Sequence, residues 1–385
     1  MNPFFWGFPR ENGRAGTRNY PIVLSCMDSM NPIVKAIASQ IQSAVPITVL
    51  FGRGQVPADS ALMKKTLVGM GCNPNVGGVL VVSLEAEIGD GITEALQQNG
   101  QRVDTLIFQE EGNTPNAVHQ GVLKLLTLAS RCSESRREPI PLSKLAVALE
   151  CGGSDALSGL VANHLLGKIA DRLIDAGASI VISETSEMIG AEHLLVKRAA
   201  TKKVARDIRR LVGALETRLK RSGIDLRGIN PMPDNIRGGI STIEEKALGA
   251  IAKGGSKTIR GVLEYAAPIP GPGLYLMDSP SGACESMTGL AATGANLLLF
   301  STGAGHPLGD PIVPTWKICA NPATIRNLAP NIDADATSVL TEERSLEVCA
   351  EELFDDILKV ADGKLTRAEL LKQTETAITK RSPSV

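Results

Sequence analysis

The sequence predicts an α/β protein in which buried parallel strands alternate with amphipathic helices. Three observations support this fold class: short continuous apolar runs, stretches of helical periodicity between them, and polar side chains where the runs end. Strands that are apolar along their whole length are typical of parallel sheets covered by helices on both faces. At 385 residues the chain is long enough for two domains of ordinary size.

The apolar runs with the length and composition of buried strands fall into two sets of four. The first set covers 21–26, 46–51, 77–84 and 104–109, and the second covers 144–151, 178–185, 273–279 and 295–303. Helical periodicity fills most of the intervals, for example at 58–70 and 163–177. This alternation predicts a doubly wound α/β architecture.

A charged segment with prolines and serines, residues 130–143, separates the two sets of strands. It predicts an N-terminal α/β domain over 1–135 and a C-terminal domain over 140–385. Residues 200–260 differ from the rest of the second domain, because they are first helical and basic and then rich in glycine. We expect them to form an insertion or a subunit-contact element.

The charge balance and the aromatic content weigh against some classes of partner. Lys and Arg number 40 against 41 Asp and Glu, and aromatic residues make up 3% of the chain. Neither value supports nucleic acid or an anionic membrane as the main partner. The sequence has no apolar run of transmembrane length and no signal-peptide pattern, and its seven cysteines form no CxxC pair. We therefore expect a cytoplasmic protein with free or metal-bound thiols.

Polar side chains follow nearly every predicted strand. In open α/β sheets, ligands bind at the carboxyl ends of the strands. Carboxylates, thiols and amides at these ends are the groups that a hard cation and a polyoxygenated substrate require. The side chains concerned include Cys26, Arg53, Gln55, Glu110, Cys151, Ser154, Asp155, Glu184, Glu187, His193 and His306.

Several of these residues also have a purely structural interpretation. Asp155 could cap a helix that begins near Leu157, since such a side chain satisfies free N–H groups. Glu110 and Glu187 could be solvated loop charges. Nucleotide binding is weakly supported, because the glycine-rich run at 303–309 spells GxGxxxG and lies far from a first βαβ unit.

The chain resembles the altronate dehydratase/galactarate dehydratase family over nearly its whole length. The motifs that carry the resemblance are NGRAGTRN (12–19), NPNVGGVLVV (73–82), QEEGNT (109–114), CGGSDALSGLVAN (151–163), SETSEMIGAEHLL (183–195) and STGAGHPLGD (301–310). The resemblance implies a dimerising α/β domain followed by a Rossmann-like domain, a parallel sheet with flanking helices. It also implies a lyase that dehydrates sugar acids with a divalent metal: Fe²⁺ first, with Mg²⁺ and Mn²⁺ as alternatives.

The implied reaction is a β-elimination from a 2-hydroxy acid of the altronate or galactarate type, giving a 2-keto-3-deoxy acid. Arg53 and Gln55 stand where the family often has a turn rich in His, Gly and Cys, and Ala304 replaces a common arginine. Because of these departures, the resemblance does not indicate which hydroxy acid is the substrate or whether water is the leaving group. The chain also begins at the NGRAGTRN segment, so we expect a large subunit that works with a small β-rich partner and forms a homo-oligomer.

Two alternatives to the dehydratase stay open. One is the large subunit of a two-subunit (2R)-sulfolactate sulfo-lyase, a carbon–sulfur lyase that releases pyruvate and sulfite. The other is a non-catalytic subunit that binds a sugar acid. Release of sulfite, or of a 2-keto-3-deoxy acid, would separate them.

We expect the strand-end residues to divide into three roles. The predicted metal ligands are Cys26, Cys151, Asp155 and Glu187. The residues predicted to act in catalysis are Glu184, which also lies among the metal-facing carboxylates, and His193 and His306. The residues predicted to bind substrate are Arg53, Gln55, Glu110, Gly152, Gly153 and Ser154. The two glycines lack a Cβ, so the backbone there can approach a ligand closely.

Overall fold

The computed structural model describes residues 4–341 and 344–385, which form three β-sheets flanked by helices. The strands are β1 Phe4–Pro9, β2 Ala15–Gly16, β3 Tyr20–Ser25, β4 Val45–Ile47, β5 Val76–Ser83, β6 Val103–Ile107, β7 Glu138–Pro141, β8 Ala146–Cys151, β9 Ser179–Ile182, β10 Ile259–Leu263, β11 Gly273–Met277, β12 Leu297–Ser301, β13 Thr315–Cys319 and β14 Ala334–Asp335. The helices are α1 Asn31–Ala38, α2 Pro57–Gly71, α3 Ala86–Gln98, α4 Phe108–Glu111, α5 Thr114–Glu134, α6 Asn163–Asp175, α7 Glu192–Lys197, α8 Lys202–Arg221, α9 Pro233–Arg237, α10 Ile243–Ile251, α11 Ala283–Ala292, α12 Pro322–Leu328, α13 Ser338–Thr341, α14 Leu346–Ala361 and α15 Arg367–Leu370.

Two of the sheets are parallel, which confirms the predicted α/β class. The first has four strands in the order β4-β3-β5-β6, and the second has seven in the order β10-β11-β9-β8-β12-β13-β14. All strand pairs within them are parallel. Since parallel neighbours need a crossover connection, the intervening helices cover the faces of both sheets.

The third sheet is antiparallel, and the sequence did not predict it. It has the order β2-β1-β7, and its edge strand β7 lies inside the segment 130–143 that marks the predicted domain boundary. The strand contains two prolines, which an edge strand tolerates because one side of it needs no ladder hydrogen bonds. Strand β1, at the start of the chain, therefore pairs with residues close to the predicted domain boundary.

Residues 200–260 contain helices and the beginning of a strand. Helices α8, α9 and α10 lie there, and strand β10 forms one edge of the seven-stranded sheet. The segment that looked like an insertion therefore ends within the main sheet. None of the described helices combines the length and apolarity needed to cross a membrane.

The two parallel sheets share a hydrophobic core. Ile22 and Leu24 of β3 belong to the same buried cluster as Ala148 of β8 and Leu298 of β12. A second core covers the opposite face of the seven-stranded sheet and includes Val147 and Leu299. Alternate residues of one strand point to opposite faces, so β8 and β12 each contribute to both cores.

A buried ion pair also joins the two ends of the chain. Arg18 donates from Nε and Nη2 to the two carboxylate oxygens of Glu369, at 2.7 and 2.9 Å. The Tyr20 hydroxyl donates to the same carboxylate at 2.9 Å. Burial opposes ionisation of Glu369, but its bonds to Arg18 outweigh burial and lower its pKa. The pair therefore stabilises the fold mainly above the pKa that Glu369 has in the unfolded chain.

We expect Glu369→Ala to lower the free energy of unfolding by about 3–5 kcal/mol at neutral pH, because it leaves the buried Arg18 guanidinium without its carboxylate counter-ion. Urea denaturation measures the change. The destabilisation should shrink as the pH falls through the lowered pKa of Glu369, since the wild-type pair is then lost as well. Asp207→Ala, which removes the partner of the exposed Lys203 and Arg210 side chains, serves as the control and should change stability by no more than about 1 kcal/mol. A comparable effect in both variants would contradict the role of the buried pair.

Candidate functional site

The carboxyl ends of β8 and β9 bring three buried side chains into contact. Cys151 is the last residue of β8, and Glu184 follows β9 with φ 69° and ψ 71°. Left-handed backbone is uncommon and strained in a residue other than glycine, and such strain is typical of functional positions. The next turn, Thr185–Met188, carries Glu187. One ligand atom from each of the three side chains lies within 4.8 Å of the other two.

Two lysines from the segment 200–260 complete this group. The Nζ of Lys253 lies 2.8 Å from the Oε2 of Glu184 and 2.9 Å from the Sγ of Cys151. It also lies 3.6 Å from the Oε2 of Glu187. Lys246 reaches the other oxygen of Glu187 at 3.3 Å. We call these five residues the buried cluster.

Close packing of α10 brings the two lysines to the sheet. Gly249 of α10 approaches Gly159 so closely that a Cβ on Gly249 would lie 2.9 Å from the Gly159 Cα. The Asn163 side chain donates to the Gly249 carbonyl at 3.0 Å. Because Lys246 lies on α10 and Lys253 directly after it, this packing fixes where both ammonium groups point.

The two carboxylates of the buried cluster have opposite pKa shifts. Burial, together with the charges of Glu150 and Glu187, raises the pKa of Glu184 well above its usual value. Burial acts on Glu187 in the same direction, but Lys253 and Lys246 outweigh it and lower the pKa of that carboxyl. Neighbouring carboxyls with divergent pKa values are a recurrent arrangement for acid–base chemistry.

The thiol and the nearer lysine respond to the same environment. Burial and the charge of Glu187 raise the pKa of Cys151 well above its usual value, and its thiol donates to the Oε2 of Glu187 at 3.0 Å. Burial opposes the charge on Lys253, but Cys151 and both carboxylates reverse that effect and raise its pKa. The space between the three acidic side chains therefore accommodates a cation.

Asp155 occupies the position of a cap. Its Oδ1 accepts from the backbone N–H of Ser158 at 2.6 Å, and its Oδ2 accepts from the side chain of Asn321 at 2.7 Å. The capping interpretation considered from the sequence therefore accounts for Oδ1, and Asn321 occupies Oδ2, whereas a role as metal ligand stays a prediction. Ser154, which is buried next to it, accepts from Asn235 through its backbone carbonyl.

The two glycines after Cys151 connect the loops at the carboxyl edge of the sheet. The Gly152 N–H donates to the Ser301 carbonyl at 3.1 Å, so that amide already has a partner. Gly153 has φ +61°, and its carbonyl accepts from Gly303 and Ala304. A Cβ on Gly152 would lie 2.8 Å from the Phe300 ring. A larger residue at 152 would therefore displace that ring.

The predicted histidines lie apart from each other. His193 is exposed on α7. His306 is partly buried, and its ring stacks on Phe300 with centroids 5.3 Å apart. His306 also lines a cavity of about 510 Å³ between the loop after β4, the start of α11 and the C-terminal segment; Phe51, Glu285 and Lys380 are among the other lining residues.

The remaining predicted residues belong to the four-stranded half of the chain. Cys26 and Gln55 line a cavity of about 220 Å³, and burial raises the pKa of Cys26 to about 12. Arg53 is exposed, with its Nε 3.7 Å from a carboxylate oxygen of Glu85. Glu110 is exposed on α4. The structure thus gathers Cys151, Glu184 and Glu187, and places these four residues elsewhere.

Neither the two lysines of the buried cluster nor Glu150, a buried carboxyl group next to Cys151, was identified from the sequence. Glu150 is fully buried on β8; its Oε2 accepts from Ser183 and Ser286, and burial raises its pKa to about 7. A charged residue within the apolar run 144–151 was the available signal for Glu150. For Lys253, the signal was a single basic residue between an apolar helical turn and two glycines.

Two family models together match nearly the whole chain, and relatives of known activity align with it. The C-terminal model of D-galactarate/altronate dehydratase matches residues 142–384, and the second-domain model of D-galactarate dehydratase/altronate hydrolase matches 7–133. The β subunit of (2R)-sulfolactate sulfo-lyase from Chromohalobacter salexigens is 37% identical, covering 98% of this chain and 97% of that subunit. Altronate dehydratase from Bacillus subtilis is 33% identical over 98% of this chain and 78% of that enzyme. Galactarate dehydratase (L-threo-forming) from Escherichia coli is 31% identical over 78% of this chain and 59% of that enzyme.

Lys253→Met tests whether the positive charge of Lys253 stabilises the buried carboxylates of the cluster. We expect the free energy of unfolding to fall by roughly 3–5 kcal/mol, because buried Glu184 loses its nearest cation and buried Glu187 loses one of its two. Urea denaturation of metal-free protein measures this loss. Adding Glu184→Gln to the variant should restore part of the stability, since one of the uncompensated charges is then removed. The exposed Lys203→Met is the control, and equal stability of the two single variants would refute the compensation.

Proposed function

The chain belongs to the D-galactarate/altronate dehydratase family and is a lyase, and from this premise we propose that it eliminates a β-substituent from a 2-hydroxy acid with the help of a divalent metal. The favoured substrate class is a sugar acid of the altronate or galactarate type, and the product is a 2-keto-3-deoxy acid. The observation that carries the proposal is the buried cluster at the carboxyl edge of the seven-stranded sheet.

The donor set of the cluster fits a divalent metal ion. Cys151 and Glu187 supply one sulfur and one carboxylate ligand, and Glu184 lies within reach of the same centre, which the Lys253 ammonium contacts in this structure. Thiolate and carboxylate ligands together suit a transition metal such as Fe²⁺ better than Mg²⁺. When bound, such a metal acts as a Lewis acid that polarises the carboxylate and hydroxyl oxygens of the substrate.

Two residues of the buried cluster act directly in the elimination, one as a base and one as a stabilising charge. A base has to take the proton from the carbon that carries the carboxylate and the hydroxyl. We assign the removal of this proton to Glu184, because it is the one of the three predicted catalytic residues that lies inside the buried cluster. Lys253 stays charged beside it and stabilises the negative charge that develops on the substrate.

The electron pair left by the proton forms a carbon–carbon double bond as the β-substituent departs. In the dehydration that substituent leaves as water after it gains a proton, and the resulting enol tautomerises to the 2-keto acid. Burial of the cluster strengthens each of these electrostatic interactions, because the surrounding protein screens charge less than water does.

A specific observation favours the carbon–sulfur lyase as a second candidate. The chain aligns with 97% of the sulfo-lyase β subunit but with 78% of the Bacillus subtilis altronate dehydratase. In this alternative the same base takes the same proton, and sulfite leaves from the β-carbon to give pyruvate. Because that relative is one subunit of its enzyme, the proposal includes a separate partner subunit.

Paired variants at two acidic positions distinguish metal ligands from caps. We expect Glu187→Gln to weaken metal binding by about 100-fold or more and to abolish turnover, because it removes a charged ligand. Asp155→Ala should keep the metal and lose about 1–2 kcal/mol of stability, as expected for a helix cap. Metal content after dialysis and the free energy of unfolding are the measurements. Retention of metal by Glu187→Gln, or loss of it from Asp155→Ala, would place the site elsewhere.

A substrate panel decides which group leaves. Iron-loaded protein, alone and with a co-expressed small subunit, is incubated with altronate, galactarate and (2R)-sulfolactate. We expect a 2-keto-3-deoxy acid from a sugar acid, whereas the alternative requires sulfite and pyruvate from sulfolactate. Mass spectrometry of the products and a sulfite assay provide the readouts, with Glu187→Gln as the inactive control. Absence of turnover on all three acids would contradict the proposal.

A further inference from the structure

A lysine is buried without a partner next to the candidate active site. Lys317 of β13 is fully buried, and within the described part of the chain its Nζ has no hydrogen-bond partner. It lies opposite Phe300 of β12 in the parallel register, so both side chains point to the same face of the sheet. Burial lowers the pKa of Lys317 to about 8. An unpaired buried cation is costly, which calls for an explanation beyond stability.

His306 shares this location. Its ring stacks on Phe300, and its Nδ1 is buried with no hydrogen-bond partner among the described residues. Burial and the nearby charge of Lys317 lower the pKa of His306. We call His306 and Lys317 the basic pair. It presents two nitrogen atoms whose hydrogen-bonding capacity the described residues do not use.

The acidic groups around the basic pair make no described hydrogen bond to its unused nitrogen atoms. Glu150, in the same cross-strand row as Phe300 and Lys317, and Asp310, four residues after His306, each keep one buried carboxyl oxygen without a partner. Asp333 accepts the backbone N–H of Lys317 at 2.8 Å and that of Arg367 at 2.8 Å. Glu285, which lines the same cavity as His306, lies over the start of α11, because a Cβ on Gly282 would be 2.9 Å from its Oε2. The basic pair therefore lacks a described carboxylate partner for its unused nitrogen atoms.

The basic pair and the buried cluster lie on the two faces of one sheet edge. Glu150 pairs with Phe300, so the next residue, Cys151, points to the other face. Gly152 is the crossing point: a Cβ there would lie 3.6 Å from the Cδ2 of His306. The cavity of about 510 Å³ lined by His306 provides room for a ligand on this side of the edge. A ligand that reaches both groups would have to shift the Phe300 ring, which lies 2.8 Å from a Cβ placed on Gly152.

We propose that the basic pair binds a second anionic group of the substrate, a carboxylate or a sulfonate, while the buried cluster handles the 2-hydroxy acid end. This inference rests on the proposed function and narrows its substrate class to dianionic hydroxy acids. The anion supplies the partner that Lys317 and His306 lack. Galactarate, with a carboxylate at each end, and sulfolactate, with a sulfonate, both qualify. Altronate has a neutral far end and does not.

The first test compares substrates in the iron-loaded protein. Lys317→Met should lower kcat/KM for the dianionic substrate by about 100-fold, as expected when one partner of a buried charge pair is removed. Lys317→Gln should give a similar loss, and activity on altronate should change by less than about threefold. The exposed Lys35→Met is the matched control. A preference for altronate, or equal losses on altronate and on the dianions, would overturn the inference while leaving the lyase assignment intact.

The second test needs no turnover. The chain has four histidines, so the resonances of ¹³C-labelled imidazole rings can be assigned by single variants such as His306→Asn. In chelator-treated protein, methanesulfonate and acetate should shift the His306 resonance in the wild type and in Glu187→Gln, but not in Lys317→Met. The probe that shifts the His306 resonance at the lower concentration shows whether the site prefers a sulfonate or a carboxylate. An unchanged His306 resonance, or the same response in Lys317→Met, would refute the anion site whether or not the protein is a lyase.

Discussion

Two carboxylates buried at the carboxyl edge of the seven-stranded sheet have to be balanced by buried cations, and the packing of the second half of the chain meets that constraint. Lys253 and Lys246 supply the charges, and both come from a segment more than 50 residues beyond Glu187 in the sequence. Helix α10 must therefore dock within contact distance of the sheet. The Gly159–Gly249 approach makes this docking close enough for the ammonium groups to reach.

The alternation of side chains along a strand explains why polar chemistry occurs on both faces of this edge. Cys151 faces the two lysines, whereas Glu150 faces the core shared with the four-stranded sheet. Phe300 and Lys317 continue the row of Glu150 across the sheet. The chain leaves the sheet edge at Gly152, where the Phe300 ring packs closely against the backbone.

Part of this site could be predicted because parallel strands deliver their carboxyl ends to one edge. Cys151, Glu184 and Glu187 were identified on that ground, and the structure brings them together. The same reasoning selected Asp155, whose oxygens cap a helical turn and bind Asn321. The rule identifies which residues lie at an edge, but not which way each side chain points. It also could not identify Lys253, whose contact with the sheet depends on the packing of a distant helix.

By itself the sequence determined the fold class, the position of the main strands and the identity of the acidic strand ends. These properties follow from local patterns: apolar runs form buried strands, and the polar residues after them lie at the edge of the sheet. Only the tertiary structure decided which side chains share a pocket, that lysines neutralise it, and that Lys317 and His306 lie beside it. Burial and mutual charge act over distances of a few ångströms between residues far apart in the chain, so no local pattern encodes them.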